Sequence, residues 1–170
     1  MVSRVQWVLL IGLLTLTVAY PATSVSATPE PVMTMALKYQ QSERKWFRDR
    51  APLFGIYLGT GDGTAAGRLS GRVGWDLYED QERADFHPAH FHGFIEVDGE
   101  RHAFQILGVY TPASTDAAVT PDGKTHPRIW TLSGTIAFDD ASVLGARHLP
   151  VTGTADLNTW TASYSVWSKP

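Results

Sequence analysis

The sequence predicts an all-β domain whose sheet closes into a small antiparallel barrel of about eight strands. From Leu53 onward, short runs of alternating apolar and polar residues are separated by Gly, Asp and Pro, which is typical of strands joined by tight turns. Two hairpins with an apolar face, and a glycine that recurs in three strand segments, add to this prediction. Candidate strands cover residues 54–59, 68–79, 90–97, 100–110, 128–138, 149–157 and 160–168.

Residues 1–27 have the pattern of a secretory signal peptide. Arg4 supplies the positive charge, residues 5–19 form an apolar run of 15 residues, and the V-S-A that ends at Ala27 suits cleavage. A helix that spans a bilayer needs about 20 apolar residues, so this run is short for one. We therefore expect an exported protein, either secreted or periplasmic. The alternative is a membrane-anchored form in which the segment stays uncleaved.

Residues 28–52 are predicted to be a lead-in, and residues 53–170 the barrel domain. The lead-in starts with the linker TPEP. The segment MTMALKYQQSERKWFRDR then predicts a short helix that Pro52 ends.

The composition excludes several classes of function. Without residues 1–27 the chain has 13 basic and 17 acidic side chains, a formal charge of 13 − 17 = −4, and no cluster of Lys or Arg. This argues against a nucleic-acid partner and against anionic membrane surfaces. Cysteine and the G-x-S-x-G motif are both absent, which leaves covalent hydrolases without a nucleophile. Without disulfides, a core of six Trp, six Tyr and seven Phe must hold the domain together.

A first β-hairpin is predicted around Asp98 and Gly99, because Asp-Gly favours a two-residue loop. In the register that this loop sets, one face is largely apolar, and Glu96 lies opposite Arg101 on the other face. The remaining pairs are Ile95 with His102, Gly93 with Phe104, Phe91 with Ile106, His92 with Gln105, and His90 with Leu107.

A second hairpin is predicted with Asn158 and Thr159 as its loop. It pairs Leu157 with Trp160, Ala155 with Ala162, Gly153 with Tyr164, and Val151 with Val166. The segments LSGRVGWD (69–76), LSGTIAFD (132–139) and VTGTADLN (151–158) share a pattern that puts a glycine on the apolar face. Such a glycine lets a sheet bend sharply, or lets a large neighbour pack close to the backbone.

The segments GTGDGTAAGRLSGRVGWDLYED and HGFIEVDGERHAFQILGVYTP resemble the small barrels of the allene oxide cyclase and dirigent type, and their bacterial relatives. The resemblance covers about residues 53–168. It implies an eight-stranded barrel, frequently a dimer or trimer, that binds a hydrophobic or phenolic small molecule in its mouth. It carries over no catalytic residue.

The segment HPAHFHGFIE (87–96) raises the alternative of a metal-dependent enzyme. His90, His92 and Glu96 form an H-x-H-x3-E string, and His126 follows in P-D-G-K-T-H, so the two segments resemble the halves of the cupin metal motif. On one straight strand, however, Glu96 lies roughly 13 Å from His92, too far for a shared transition metal. His90 and His92, about 6.6 Å apart along the strand, are close enough to share one divalent transition metal if a third ligand comes from elsewhere. His87 or His126 could supply that ligand, and a bulge in the strand could bring Glu96 back within reach.

The favoured hypothesis is a protein that binds a small apolar molecule in the barrel mouth and acts on it, if at all, as an isomerase or lyase without a cofactor. Its proposed polar groups are His102, Tyr110 and Tyr164, and its proposed apolar walls are Trp75 and Trp160. In a third hypothesis, the protein is a structural or interaction module. The outer face of His90, His92, Phe94 and Leu107 is then the interface of a homo-oligomer, a dimer or trimer.

Overall fold

The computed structural model describes residues 29–47, 54–80, 85–119, 125–140 and 142–168, and all of its regular structure is β. The strands are β1 (Met33–Phe47), β2 (Phe54–Gly67), β3 (Gly71–Asp80), β4 (His87–Val97), β5 (Glu100–Pro112), β6 (Ala117–Val119), β7 (Thr125–Pro127), β8 (Ile129–Phe138), β9 (His148–Asp156) and β10 (Thr161–Val166). The predicted signal peptide, residues 1–27, lies outside the described residues. Within the described ranges, no helix is long and apolar enough to cross a membrane.

Eight strands close into a barrel in the order β1-β10-β9-β8-β5-β4-β3-β2, with every neighbouring pair antiparallel. The short β6 and β7 form a separate two-stranded sheet in the connection from β5 to β8. The prediction of a small closed antiparallel barrel is confirmed. Each of the eight strands pairs with a neighbour on both sides over at least part of its length, which closes the sheet; β1, for example, pairs with β2 as far as Phe47 but with β10 only over residues 33–38.

The prediction of a helix in the lead-in is wrong, because residues 33–47 form the strand β1. Met33, Met35 and Leu37 are buried, and the residues between them are exposed, which is the period-two pattern of a strand with one face in the core. β1 pairs with both β10 and β2 and closes the barrel. The barrel therefore includes residues that the sequence pattern assigns to the segment before it.

Both predicted hairpin registers are confirmed. In β4 and β5, Glu96 pairs with Arg101 and Ile95 with His102; in β9 and β10, Gly153 pairs with Tyr164. A shift of one residue would move every inward side chain to the outer face, so the apolar pattern determines the register.

The inner faces of the strands supply one apolar core. Its largest fully buried side chains are Tyr164, Phe91, Phe104, Phe138, Met33, Met35, Ile95, Ile106, Leu132 and Ile136. We call the end of the barrel that carries the β4–β5 turn at Asp98 and Gly99 the lower end. The end where β4 begins at His87, and where β9 turns into β10 near Trp160, is the upper end.

Two of the recurring glycines make room for packing inside the barrel. A Cβ on Gly153 would lie 2.5 Å from Cδ1 of Tyr164, and a Cβ on Gly134 would lie 2.7 Å from the Cα of Gly108. Real Cβ atoms do not approach other atoms this closely, so the ring of Tyr164 occupies the space that a side chain at 153 would need. This confirms that the glycine lets a large neighbour approach the sheet.

We predict that Gly153→Ala destabilises the barrel by about 1–3 kcal/mol, the usual cost of forcing extra volume into a packed core. Thr154→Ala, one residue along on the exposed face of β9, is the control and should change stability by less than about 0.5 kcal/mol. Urea unfolding followed by tryptophan fluorescence measures both. Equal effects of the two substitutions would contradict the packing of Tyr164 against Gly153.

Candidate functional site

Four side chains with polar groups lie together inside the upper end of the barrel. Glu79 and His87 are 8% and 5% exposed, and Tyr110 and Tyr164 are 2% and 0% exposed. Among the residues that the structure describes, Glu79 and His87 are the only buried residues of a polar or charged type, apart from tyrosine and tryptophan. Burying such groups is costly unless they are hydrogen-bonded, so their partners define the site.

The period of the strands directs all four side chains inward. Glu79 continues the inner face of β3 that Trp75 and Leu77 begin, and His87 starts the inner face of β4. His87 lies directly opposite Tyr110 in the pairing of β4 with β5. Because every second residue faces the interior, a polar group at these positions is committed to the core.

Glu79 and His87 form a buried pair, with 2.6 Å between Oε1 of the carboxylate and Nδ1 of the imidazole. The ring of Trp130 stacks on His87, with 4.4 Å between ring centroids and 25° between planes. The indole N–H of Trp130 donates to the carbonyl oxygen of Pro127 at 2.8 Å, which fixes that ring in turn. A carboxylate on Nδ1 favours a proton there, so Nε2 keeps the lone pair of a neutral ring.

The hydroxyl groups of Tyr110 and Tyr164 are hydrogen-bonded to each other. Burial raises the pKa of the Tyr110 hydroxyl well above its ordinary value, and the neighbouring Tyr164 raises it further. Burial likewise raises the pKa of Tyr164. Both groups therefore stay protonated over the physiological pH range. In their mutual hydrogen bond one hydroxyl donates and the other accepts, so the pair has one O–H left to donate to a third group.

Aromatic rings surround this polar group. Tyr39 lies edge-on between two tryptophans, with 4.6 Å between its ring centroid and that of Trp75 and 6.0 Å to that of Trp160. Phe91 meets Tyr164 edge-on at 5.7 Å. Tyr39 and Trp160 are only partly buried and mark the rim of the upper end. The structure thus brings Trp75 and Trp160, the two predicted apolar walls, to one place.

An ion pair fixes the rim beside Trp160. The Nε–H of Arg128 donates a bifurcated hydrogen bond to both carboxylate oxygens of Asp156, at 3.1 and 3.2 Å, and Nη2 donates to the same carboxylate at 2.7 Å. The backbone N–H of Asn158 also donates to this carboxylate, at 2.8 Å. The hydrogen bonds from Arg128 lower the pKa of Asp156, which keeps the carboxylate charged. Its hydrogen bond with the backbone of Asn158 holds the turn after β9 closed.

The structure does not bring His102 together with the two tyrosines. His102 faces inward opposite Ile95, as predicted, but it sits near the lower end beside Asp140. Eight residues of β5 separate His102 from Tyr110, a distance of about 26 Å along a strand. The structure therefore does not bring His102 to the two tyrosines; the histidine that lies opposite Tyr110 is His87.

The cupin-like ligand set is not assembled in the part of the chain that the structure describes, where no three of the His, Asp and Glu side chains could hold a metal ion together. Glu96 instead contacts Arg72 and Arg101, each at 3.3 Å. The hydrogen bond from Arg101 and the charge of Arg72 lower the pKa of Glu96. His126 lies on β7, outside the barrel sheet.

The outer face near His90 carries large apolar side chains. Leu107 is 60% exposed and Tyr78 is 42% exposed, and both are direct cross-strand neighbours of His90. Arg101 lies 4.2 Å above the ring centroid of Phe94 and covers it. A homo-oligomer that uses this face stays a prediction.

Sequence reasoning missed Glu79, Trp130 and Tyr39 as members of the site, and gave His87 only as a metal ligand. A usable signal was present: Val73, Trp75 and Leu77 set the inner face of β3, and the next inward position is a glutamate. A charged residue that continues an apolar face is unusual and indicates a buried partner.

We predict that Tyr110→Phe and Tyr164→Phe each destabilise the barrel by about 1 kcal/mol, and that the double variant loses less than the sum, because both single changes break the same hydrogen bond. Tyr78→Phe, on the exposed face of β3, is the control and should have little effect. Urea unfolding of the wild type, the two single variants and the double variant supplies the thermodynamic cycle. Additive effects would show that the two hydroxyls do not interact.

Comparisons of this chain with protein-family models, with curated proteins and with solved structures each found no match. A function for the protein therefore has to be inferred from the geometry of the site.

Proposed function

We propose that the protein binds a small, largely apolar molecule at the upper end of the barrel and acts on it as an isomerase or lyase that needs no cofactor. The observation that carries the proposal is the buried Glu79–His87 pair, which lies opposite a pair of protonated tyrosines inside a ring of aromatic side chains. A core without function has no need of a desolvated acid–base pair, since apolar residues fill the same space at lower cost.

His87 is the proposed general base. Glu79 holds the proton on Nδ1 and orients the ring, so the lone pair on Nε2 is free to take a proton from an acidic C–H of the ligand. The positive charge that then develops on the imidazole is stabilised by the Glu79 carboxylate 2.6 Å away. Proton transfer by a positioned side chain typically accelerates a reaction by about 10²–10⁴-fold.

Tyr110 and Tyr164 are the proposed electrophilic partners. Their raised pKa values keep both protonated, so the O–H that the pair does not use in its own hydrogen bond can donate to a ligand oxygen on which negative charge builds up. Return of the proton from His87 to a different carbon completes an isomerisation. In an elimination, the electron pair of the broken C–H bond instead forms a double bond as a leaving group departs from the neighbouring carbon, and His87 gives its proton to that group or to water.

The rim suits an apolar ligand. Tyr39 and Trp160 are partly exposed there, and their rings offer flat apolar surface next to the polar group. The closed eight-stranded barrel has the architecture of the allene oxide cyclase and dirigent type that the sequence motifs resemble. That resemblance supports a hydrophobic or phenolic ligand, and the leader-like residues 1–27 support export of the protein to where such a ligand is met.

We predict that the neutral apolar fluorophore N-phenyl-1-naphthylamine binds at the rim, and that Trp160→Ala weakens its affinity by about tenfold, the equivalent of roughly 1.4 kcal/mol of lost aromatic contact. Trp167→Ala is the matched control, because Trp167 is also partly exposed but follows β10 at the lower end. Glu79→Gln should leave probe affinity within about twofold, since the carboxylate serves proton transfer and not apolar contact.

The measurement is a fluorescence titration of the wild type and the three variants, with circular dichroism to check that each is folded. Equal affinity of the wild type and Trp160→Ala would place the probe elsewhere and contradict the proposed rim site. A loss of affinity in Trp167→Ala alone would contradict it equally.

A further inference from the structure

We propose that His90 and His92 form a binding site for one divalent transition metal ion on the outer face of β4. The site is independent of the proposed function, because it lies on the opposite side of the sheet from His87. It also differs from the cupin-like set, since it uses neither Glu96 nor His126.

The two imidazoles are already in contact. They are two residues apart on one strand, so both project from the same face, and their ring centroids are 4.1 Å apart with 45° between ring planes. Two imidazoles this close can both reach one ion with bonds of about 2.0–2.1 Å.

His90 carries an unexplained atom. Its Nε2 is excluded from solvent and has no hydrogen-bond partner. Among the described residues, it is the one buried side-chain nitrogen or oxygen that lacks a partner. Buried polar atoms are nearly always satisfied, so an orphaned nitrogen indicates a partner that binds from outside the chain. A metal ion bound by both histidines would take the lone pair of this nitrogen.

The surroundings favour a cation. Asp76 is the direct cross-strand neighbour of His92 and brings a negative charge to the same face. Tyr78 and Leu107 lie on either side of His90 and form an apolar border, which lowers the local dielectric and strengthens ligation. An open groove of about 410 Å³ is lined in part by His92 and Asp76, so a hydrated ion can reach His92 from solvent.

The chemistry of the donors selects the ion. Neutral imidazole suits Zn²⁺, Ni²⁺ and Cu²⁺, whereas Mg²⁺ and Ca²⁺ prefer oxygen ligands. With two protein ligands, the other coordination positions are left to water or to a group from another molecule. Affinity should follow the general order for divalent ions, with Cu²⁺ bound more tightly than Zn²⁺.

The test is isothermal titration calorimetry of the untagged, metal-free protein with Zn²⁺ and then with Cu²⁺. We expect one ion per chain. His90→Asn and His92→Asn should each lower Zn²⁺ affinity by more than about tenfold, because even a residue that only supports a metal ligand can cause a loss of that size. His148→Asn is the matched control, because His148 is an exposed histidine that begins β9 and should bind as the wild type does.

Circular dichroism shows whether each variant is folded, and the second variant keeps the test valid if one of them is not. Equal Zn²⁺ affinity in the wild type and both variants would overturn the proposal. So would a wild type that binds no Zn²⁺ with a Kd below about 1 mM, or an equal loss of affinity in His148→Asn.

Discussion

The pairing register of β4 with β5 is the constraint on which the rest of the structure depends. It determines that His87 faces the interior, while His90 and His92, each an odd number of residues further along the strand, both face outward. A slip of one residue would exchange the two faces, expose Phe91 and Ile95, and carry both outer histidines into the core. The cross-strand pair of Glu96 with Arg101 and the Asp98-Gly99 turn both favour the observed register.

Closure of the sheet brings inward side chains from different strands together in one site. Because the barrel strands all contribute inward side chains, residues that are distant in the chain meet at the upper end: Glu79, His87, Tyr110 and Tyr164 come from four strands. The chain has no cysteine, so the cost of burying these polar groups must be offset by the aromatic core and by their mutual hydrogen bonds. The site and the stability of the barrel are therefore coupled.

Much of the fold could be predicted from local pattern. Turn chemistry and alternation were enough for both hairpin registers and for the barrel class, because each depends on residues close in sequence. The sequence predicts a helix for the first strand because the polar residues Q-Q-S-E-R-K follow Tyr39, and they are compatible with a helix when no partner strand is considered. In the structure, this polar segment pairs with β2, while β10 pairs with residues 33–38, and this pairing overrides the helical propensity.

The site was harder to predict than the fold. Alternation correctly assigned His102, Tyr110 and Tyr164 to the interior, but it does not say at which end of the barrel an inward residue lies. That depends on the stagger between neighbouring strands, which is a non-local property. His87 lay outside its predicted strand, since Pro88 follows it, yet β4 begins there and places the ring beside Glu79.

The central claim is that Glu79 holds the proton of His87 on Nδ1 inside the barrel. Nitrogen-15 NMR of the imidazole rings, at a pH well above the ordinary histidine pKa of about 6.5, reports the tautomer directly. We expect His87 to carry its proton on Nδ1, and Glu79→Gln to shift that resonance while leaving the ring signals of His148 unchanged. A His87 that carries its proton on Nε2 alone would contradict the account, because a bare Nδ1 cannot donate to the carboxylate.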